Sequence, residues 1–161
     1  MEFTTLTPQE YEAFRNQHPY RDFMNSLKAM ELKKINHWDV EYVGVKEQDK
    51  LLCATPLTSI PVMKLYRFYY AQRGFLIDYR DEELLRFFTK KLTAYLKKKK
   101  GLYLIVDPNV LYKERDIDGE LVENGFDHSY VVKNMIASGY EHQGFTKDYQ
   151  VISEIRWMFS L

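Results

Sequence analysis

A chain of 161 residues, 45% of them hydrophobic, is long enough for one ordinary domain with an ample core. Its 23 basic and 23 acidic side chains balance, so no global charge calls for a nucleic-acid partner and only local basic patches remain to be weighed. The single cysteine, Cys53, cannot pair within the chain, no signal-peptide pattern opens it and no apolar run reaches membrane-spanning length. Together these favour an intracellular, cytoplasmic protein, peripheral to a membrane at most.

Thr7-Pro8-Gln9-Glu10 is a helix start, with Thr7 as N-cap, Pro8 at N1 and Glu10 closing a capping box. This helix runs to about Asn16 and is broken by His18-Pro19. Residues 21–35 read as a second helix, with Phe23, Leu27, Met30 and the stem of Lys34 along its core stripe. A hairpin follows, strands 41–46 and 51–60 about a turn at Gln48-Asp49. Pro56 inside the return strand predicts a bulge or an edge position. Residues 65–73 form a third strand rich in aromatics.

Asp81-Glu82-Glu83 opens the clearest helix, 81–100, closed by Lys97 to Lys100 with Gly101 as its C′ residue. Leu84, Leu85, Phe88, Leu92, Tyr95 and Leu96 make its apolar stripe. The run "LYLIVDP" (102–108) predicts a central strand buried on both faces, parallel to the strand before the helix. Residues 119–126 read as a short helix or turn, 130–140 as a helix ending at Gly139, and 151–161 as a last strand. The order predicts a mixed α/β fold, a twisted sheet of five or six strands flanked by helices. The chain stops inside the apolar run "EIRWMFSL", which we read as the end of a segment of a longer protein.

Few patterns carry chemistry. His18, His37, His128 and His142 share no ligand spacing with one another or with Cys53, so no metal site is expected. Cys53, in a strand, reads as a small buried hydrophobe. The lysines at 97–100, with Lys90, Lys91 and Arg86, read as a solvated helix end in preference to a phosphate site, and "RFYY" as core rather than a base-stacking platform. No Walker, Rossmann or Gly-x-Ser-x-Gly pattern occurs. "QRGFLIDY" (72–79) lacks the glycine-rich turn at a helix start on which acyl-CoA N-acyltransferases cradle a pyrophosphate, so no cofactor is expected.

Several stretches in order, "FTTLTPQEYEAF", "HPYRDFMNSLKAMELKK", "TPLTSIPVMKLYRFYYAQRGFLIDY", "LYLIVDP", "GYEHQGFTKDYQ" and "IRWMFSL", resemble the Fem family of peptidoglycan aminoacyltransferases over essentially the whole chain. The resemblance implies an N-acyltransferase (GNAT)-like fold for a single domain, 1–161, the first of two in a protein of about 400 residues. It implies transfer of an amino acid from aminoacyl-tRNA, the co-substrate in place of a cofactor. The acceptor is the side-chain amine of the third peptide residue of a lipid-linked peptidoglycan precursor at the inner membrane surface, and the product is the interpeptide bridge. The cleft then needs the protein's own second domain, and this segment alone is expected to be inactive. Lys33, near the end of the second helix, lies where the family places a lysine toward the precursor's phosphates. Arg73 is a weaker candidate, lining the cleft or pairing with a carboxylate such as Asp78. The catalytic base is unassigned. An acyltransferase of the same fold using another acyl donor and a non-catalytic recognition module are the alternatives.

Overall fold

The computed structural model describes residues 1–145. The strand predicted for 151–161 lies outside them.

Among the described residues, alternating apolar side chains build one five-stranded sheet in the order β1-β2-β3-β4-β5. The strands are β1 (Glu2–Thr5), β2 (Asp39–Glu47), β3 (Lys50–Val62), β4 (Tyr66–Ala71) and β5 (Gly101–Val106). The first four pair antiparallel, and β5 joins β4 in parallel, with Ala71 beside Val106 at their carboxyl ends. β1 has no counterpart in the sequence reading, because four residues are too few to show a period. The β2–β3 turn is as predicted: Gln48 and Asp49 both take positive φ, 47° and 65°, the twist that suits a two-residue hairpin.

Helices cover both faces. α1 (Pro8–Arg15) starts with the full capping box of Thr7 and Glu10. α1 and α2 (Leu27–Ile35) pack on one face around Tyr11, Ala29, Met30, Tyr42, Ala54 and Leu76. α3 (Glu82–Lys98) and α4 (Tyr130–Ala137) cover the other, where Leu84, Leu85, Phe88, Leu92 and Leu96 meet Val43, Val45, Leu57 and Tyr69. Burying each such side chain stabilises the fold by about 1.5–3 kcal/mol. Tyr95 of the predicted stripe is only partly buried and donates its hydroxyl to Glu41 Oε2 at 2.6 Å. Cys53 is fully buried, and loss of solvent pushes its thiol up to about 12, in keeping with an inert core residue.

Four expectations need correction. The second helix begins at Leu27, not at 21: Asp22 caps a short 3₁₀ turn, Phe23–Asn25, and Ser26 then caps α2. The left-handed residue after α3 is Lys100, φ 58°, not Gly101. Gly101 already belongs to β5, and a Cβ there would lie 3.0 Å from Leu96 O. Of the two readings of residues 119–126, the turn holds: they turn within a ribbon bridged at Lys113–Asp127 and Arg115–Leu121. Pro56 sits in an interior strand. The Ala54 N–H faces Leu76, so Pro56, two residues on, faces the same side, beyond the end of the β4 pairing at Thr58–Tyr70, where no ladder hydrogen bond is lost. Finally, β5 is not central among the described residues: it pairs with β4 alone, and Leu102 and Tyr103 are 55% and 53% exposed. A continuous apolar run reports sticky faces, not which neighbours cover them.

Candidate functional site

The site grows from the corner that follows β4. Gly74 N–H donates to Ala71 O at 3.2 Å, closing a four-residue turn in which Arg73 has φ 52°. Glycine normally takes that position, and a left-handed arginine costs about 1–2 kcal/mol. Asp107, at the end of β5, offsets it. Its Oδ1 accepts the Arg73 N–H at 2.6 Å, and its Oδ2 accepts the Tyr70 hydroxyl at 3.0 Å and lies 3.7 Å from Arg73 Nη1. From the other side, Asn25 Nδ2 donates to Arg73 O at 3.0 Å.

Asn25 is itself fully buried and held on every side. Its Oδ1 accepts from Arg15 Nε (2.9 Å) and from the Asp22 N–H (3.0 Å), and its carbonyl accepts the Tyr11 hydroxyl at 2.6 Å. A polar network so connected is rigid. It ties α1 and the 3₁₀ turn to the corner between β4 and α3.

Lys33 reaches the same place from α2. Its Nζ lies 5.1 Å from the Trp38 ring centre and 5.9 Å from that of Tyr70, within range of cation–π attraction. The stripe expected from sequence is out of phase. Lys33 is the half-buried lysine, on the face of Ala29 and Met30, and Lys34 is exposed. The two candidates therefore meet at Tyr70, Lys33 over its ring and Arg73 through Asp107. The expected partner of Arg73, Asp78, instead accepts the Arg80 N–H at 2.9 Å.

Trp38, Tyr70, Asp107 and Asn25 were not singled out from sequence. Asp107 carried the only usable signal, an acid where an apolar strand ends. Next to Arg73, Gln72 is 6% exposed, and its buried side-chain oxygen has no hydrogen-bond partner among the described residues. Two open concavities lie elsewhere. One, of about 480 Å³, runs between α1 and the β2–β3 hairpin beside Phe14, His18 and Lys46; the other, of about 390 Å³, is lined by Asp39, Arg67, Tyr69 and Lys99. Neither includes Lys33, Arg73 or Asp107, so the site rests on converging polar groups at the carboxyl ends of two parallel strands, where α/β sheets bind ligands. Among the described residues no group of histidines, cysteines or carboxylates could hold a metal.

The model of the FemAB family matches residues 6–161. The chain belongs to the FemAB family. It is 36% identical to aminoacyltransferase FemA of Staphylococcus aureus over 158 residues, 98% of this chain but 37% of that protein. It thus spans little more than a third of the curated relatives it matches. A crystal structure of FemX superposes with a TM-score of 0.73 at 27% identity, over 91% of this chain and 33% of that one. A probable acetyltransferase (TM-score 0.56, 13% identity, 97% of this chain and 100% of that one) and an aminoglycoside 6′-N-acetyltransferase of Acinetobacter haemolyticus (0.55, 8%, 97% and 100%) share the fold alone. The FemAB chain thus has the N-acyltransferase-like mixed sheet expected of it.

Proposed function

We propose that this chain is the first domain of a two-domain, tRNA-dependent aminoacyltransferase. It acts on a lipid-linked peptidoglycan precursor, extending the peptide side chain that becomes the interpeptide bridge. FemAB membership supports the reaction class. The observation that carries the site is the convergence of Lys33 and Arg73 on Tyr70 and Asp107. Lys33 supplies a point charge for a precursor phosphate. Asp107 is a positioning residue: it holds the Arg73 corner and the Tyr70 hydroxyl. Eight residues separate Arg73 from α3, and Leu76 among them bonds Ala54 in the sheet, so no helix N-terminus opens at the corner to cradle a pyrophosphate. This favours aminoacyl-tRNA over an acyl-CoA donor. The chemistry is aminolysis of an ester: the neutral acceptor amine attacks the carbonyl, the C–N bond forms as the ester C–O bond breaks, and the departing tRNA oxygen takes up the proton the amine sheds, leaving as a hydroxyl. The ester is already activated, so positioning supplies much of the rate. Both domains form the cleft, and residues 1–161 alone do not turn over.

Lys33→Ala in the full-length protein tests the site. Precursor binding is expected to weaken roughly 10- to 100-fold with the melting temperature nearly unchanged, and Lys33→Arg to retain part of the affinity. A Lys33→Ala variant that binds like the parent removes Lys33 from the site.

A further inference from the structure

One end of the molecule is both basic and greasy. The start of β2, the β3–β4 turn, the starts of β4 and β5 and the ends of α2 and α3 meet there. The placement is fixed by Asp39 opposite Ser59, Val62 opposite Tyr66 and Arg67 beside Gly101. Ion pairs between Arg67 and Asp39 and between Lys99 and Glu41 bind the elements together. Those pairs neutralise the acids at this end. Lys34, Lys64, Lys97, Lys98 and Lys100 remain, all exposed, and none has an ion-pair partner among the described residues.

Between the lysines stand bare apolar side chains. Met63 is 75% exposed, Ile35 71%, Leu65 63% and Leu102 55%. The tip of the β3–β4 turn is Met63-Lys64, both with positive φ (47° and 63°). It carries an apolar side chain beside a cation.

We propose that this end docks on the surface of an anionic lipid bilayer, with the Met63–Leu65 turn dipping into the interface and the lysines facing lipid headgroups. Uncancelled lysines beside exposed apolar residues match a surface of negative headgroups over acyl chains. A protein partner of ordinary composition would leave five lysines to be desolvated, and an RNA would leave Met63, Leu65 and Ile35 in water. No helix among the described residues is long and apolar enough to cross a membrane.

The inference rests on the proposed acceptor and gives it a geometry. A lipid-linked precursor carries its phosphates at the headgroup plane, so the group that meets them must lie close to the docking surface. Lys33 does: Trp38, over which its Nζ sits, contacts Phe68, and Phe68 stacks on Tyr103 at the start of β5.

The test is flotation of the full-length protein with vesicles of phosphatidylcholine alone or mixed with phosphatidylglycerol. Two variants leave the Lys33 cluster intact: Lys64→Asn/Lys97→Gln/Lys98→Gln, and Met63→Ser/Leu65→Ser. The parent is expected to bind the mixed vesicles and not the neutral ones, less tightly as salt rises. The lysine variant is expected to lose about fivefold per charge removed, and the apolar variant about tenfold, both with unchanged melting temperature and unchanged binding of a soluble, lipid-free precursor. Failure of the parent to bind anionic vesicles overturns the proposal, as does binding that neither variant changes. Loss of tRNA binding in the lysine variant, with vesicle binding intact, reassigns the surface to RNA. If vesicles bind as expected but soluble precursor does not, the docking surface stands and the acceptor reading falls.

Discussion

Replacing Asp107 tests how the corner that presents Arg73 is held. Its carboxylate accepts two buried or half-buried donors, the Arg73 N–H at 2.6 Å and the Tyr70 hydroxyl at 3.0 Å, in a residue 5% exposed. In Asp107→Ala both donors lose this acceptor in a site with little room for solvent. Each such loss costs about 1–3 kcal/mol, so the expected destabilisation is roughly 2–5 kcal/mol. Asp107→Asn keeps one carbonyl oxygen for the Arg73 N–H, and its amide can donate to the Tyr70 oxygen. It loses the charge and the 3.7 Å attraction to Arg73 and is expected to cost only about 1 kcal/mol. Urea unfolding gives the global figures, and hydrogen exchange at the Arg73 amide gives the local one, faster in Asp107→Ala than in Asp107→Asn. If both variants unfold within about 0.5 kcal/mol of the parent and the Arg73 amide stays protected, the carboxylate does not hold the corner.

Gln72→Met removes a buried carboxamide whose oxygen has no partner among the described residues and keeps its volume. The melting temperature is expected to hold or rise, since an unsatisfied buried polar group is a cost; a fall of several degrees refutes this. Glu10 is held down to about 2, from 4.5, chiefly by its hydrogen bond to Lys46 and then by those to Thr7. A depressed carboxylate stabilises the fold above its ordinary value and loses that contribution as pH falls toward the folded one. Acid titration should therefore show parent stability declining between pH 4.5 and 2, with a shallower decline in Glu10→Gln; identical profiles contradict it.

Where a signal is local, the fold was legible. Thr7, Pro8 and Glu10 act through bonds spanning three residues, Asp81 caps α3 through Leu84 N–H, and Gln48-Asp49 and Gly139 take the positive φ that turns and helix ends require. The second helix failed at its start. Reading it from 21 ran one helix through the 3₁₀ turn that Asp22 caps and past the Ser26 cap, which drew Phe23, 60% exposed, into the core stripe. The stripe drawn through Phe23 and Leu27 put Lys34 in the core and Lys33 beside it. Counting from Ser26 restores the phase: Ala29, Met30 and Lys33 share one face.

The site was less legible because its parts are far apart in the chain. Arg73 and Asp107 are separated by 34 residues, Tyr70 and Asp107 by 37, and Asn25 and Arg73 by 48. No local period encodes such contacts; the topology does. A strand, a helix and a parallel strand bring Ala71 and Val106 side by side, so the residues just past each, Arg73 and Asp107, must meet at one end of the sheet. That inference was open from the predicted order alone, since two parallel neighbours end on the same side. Which lysine would face them was not open, because it depends on the phase of a helix packed on the face from which Tyr70 projects. The parallel pair selects the end of the sheet, and the Ser26 cap selects the lysine.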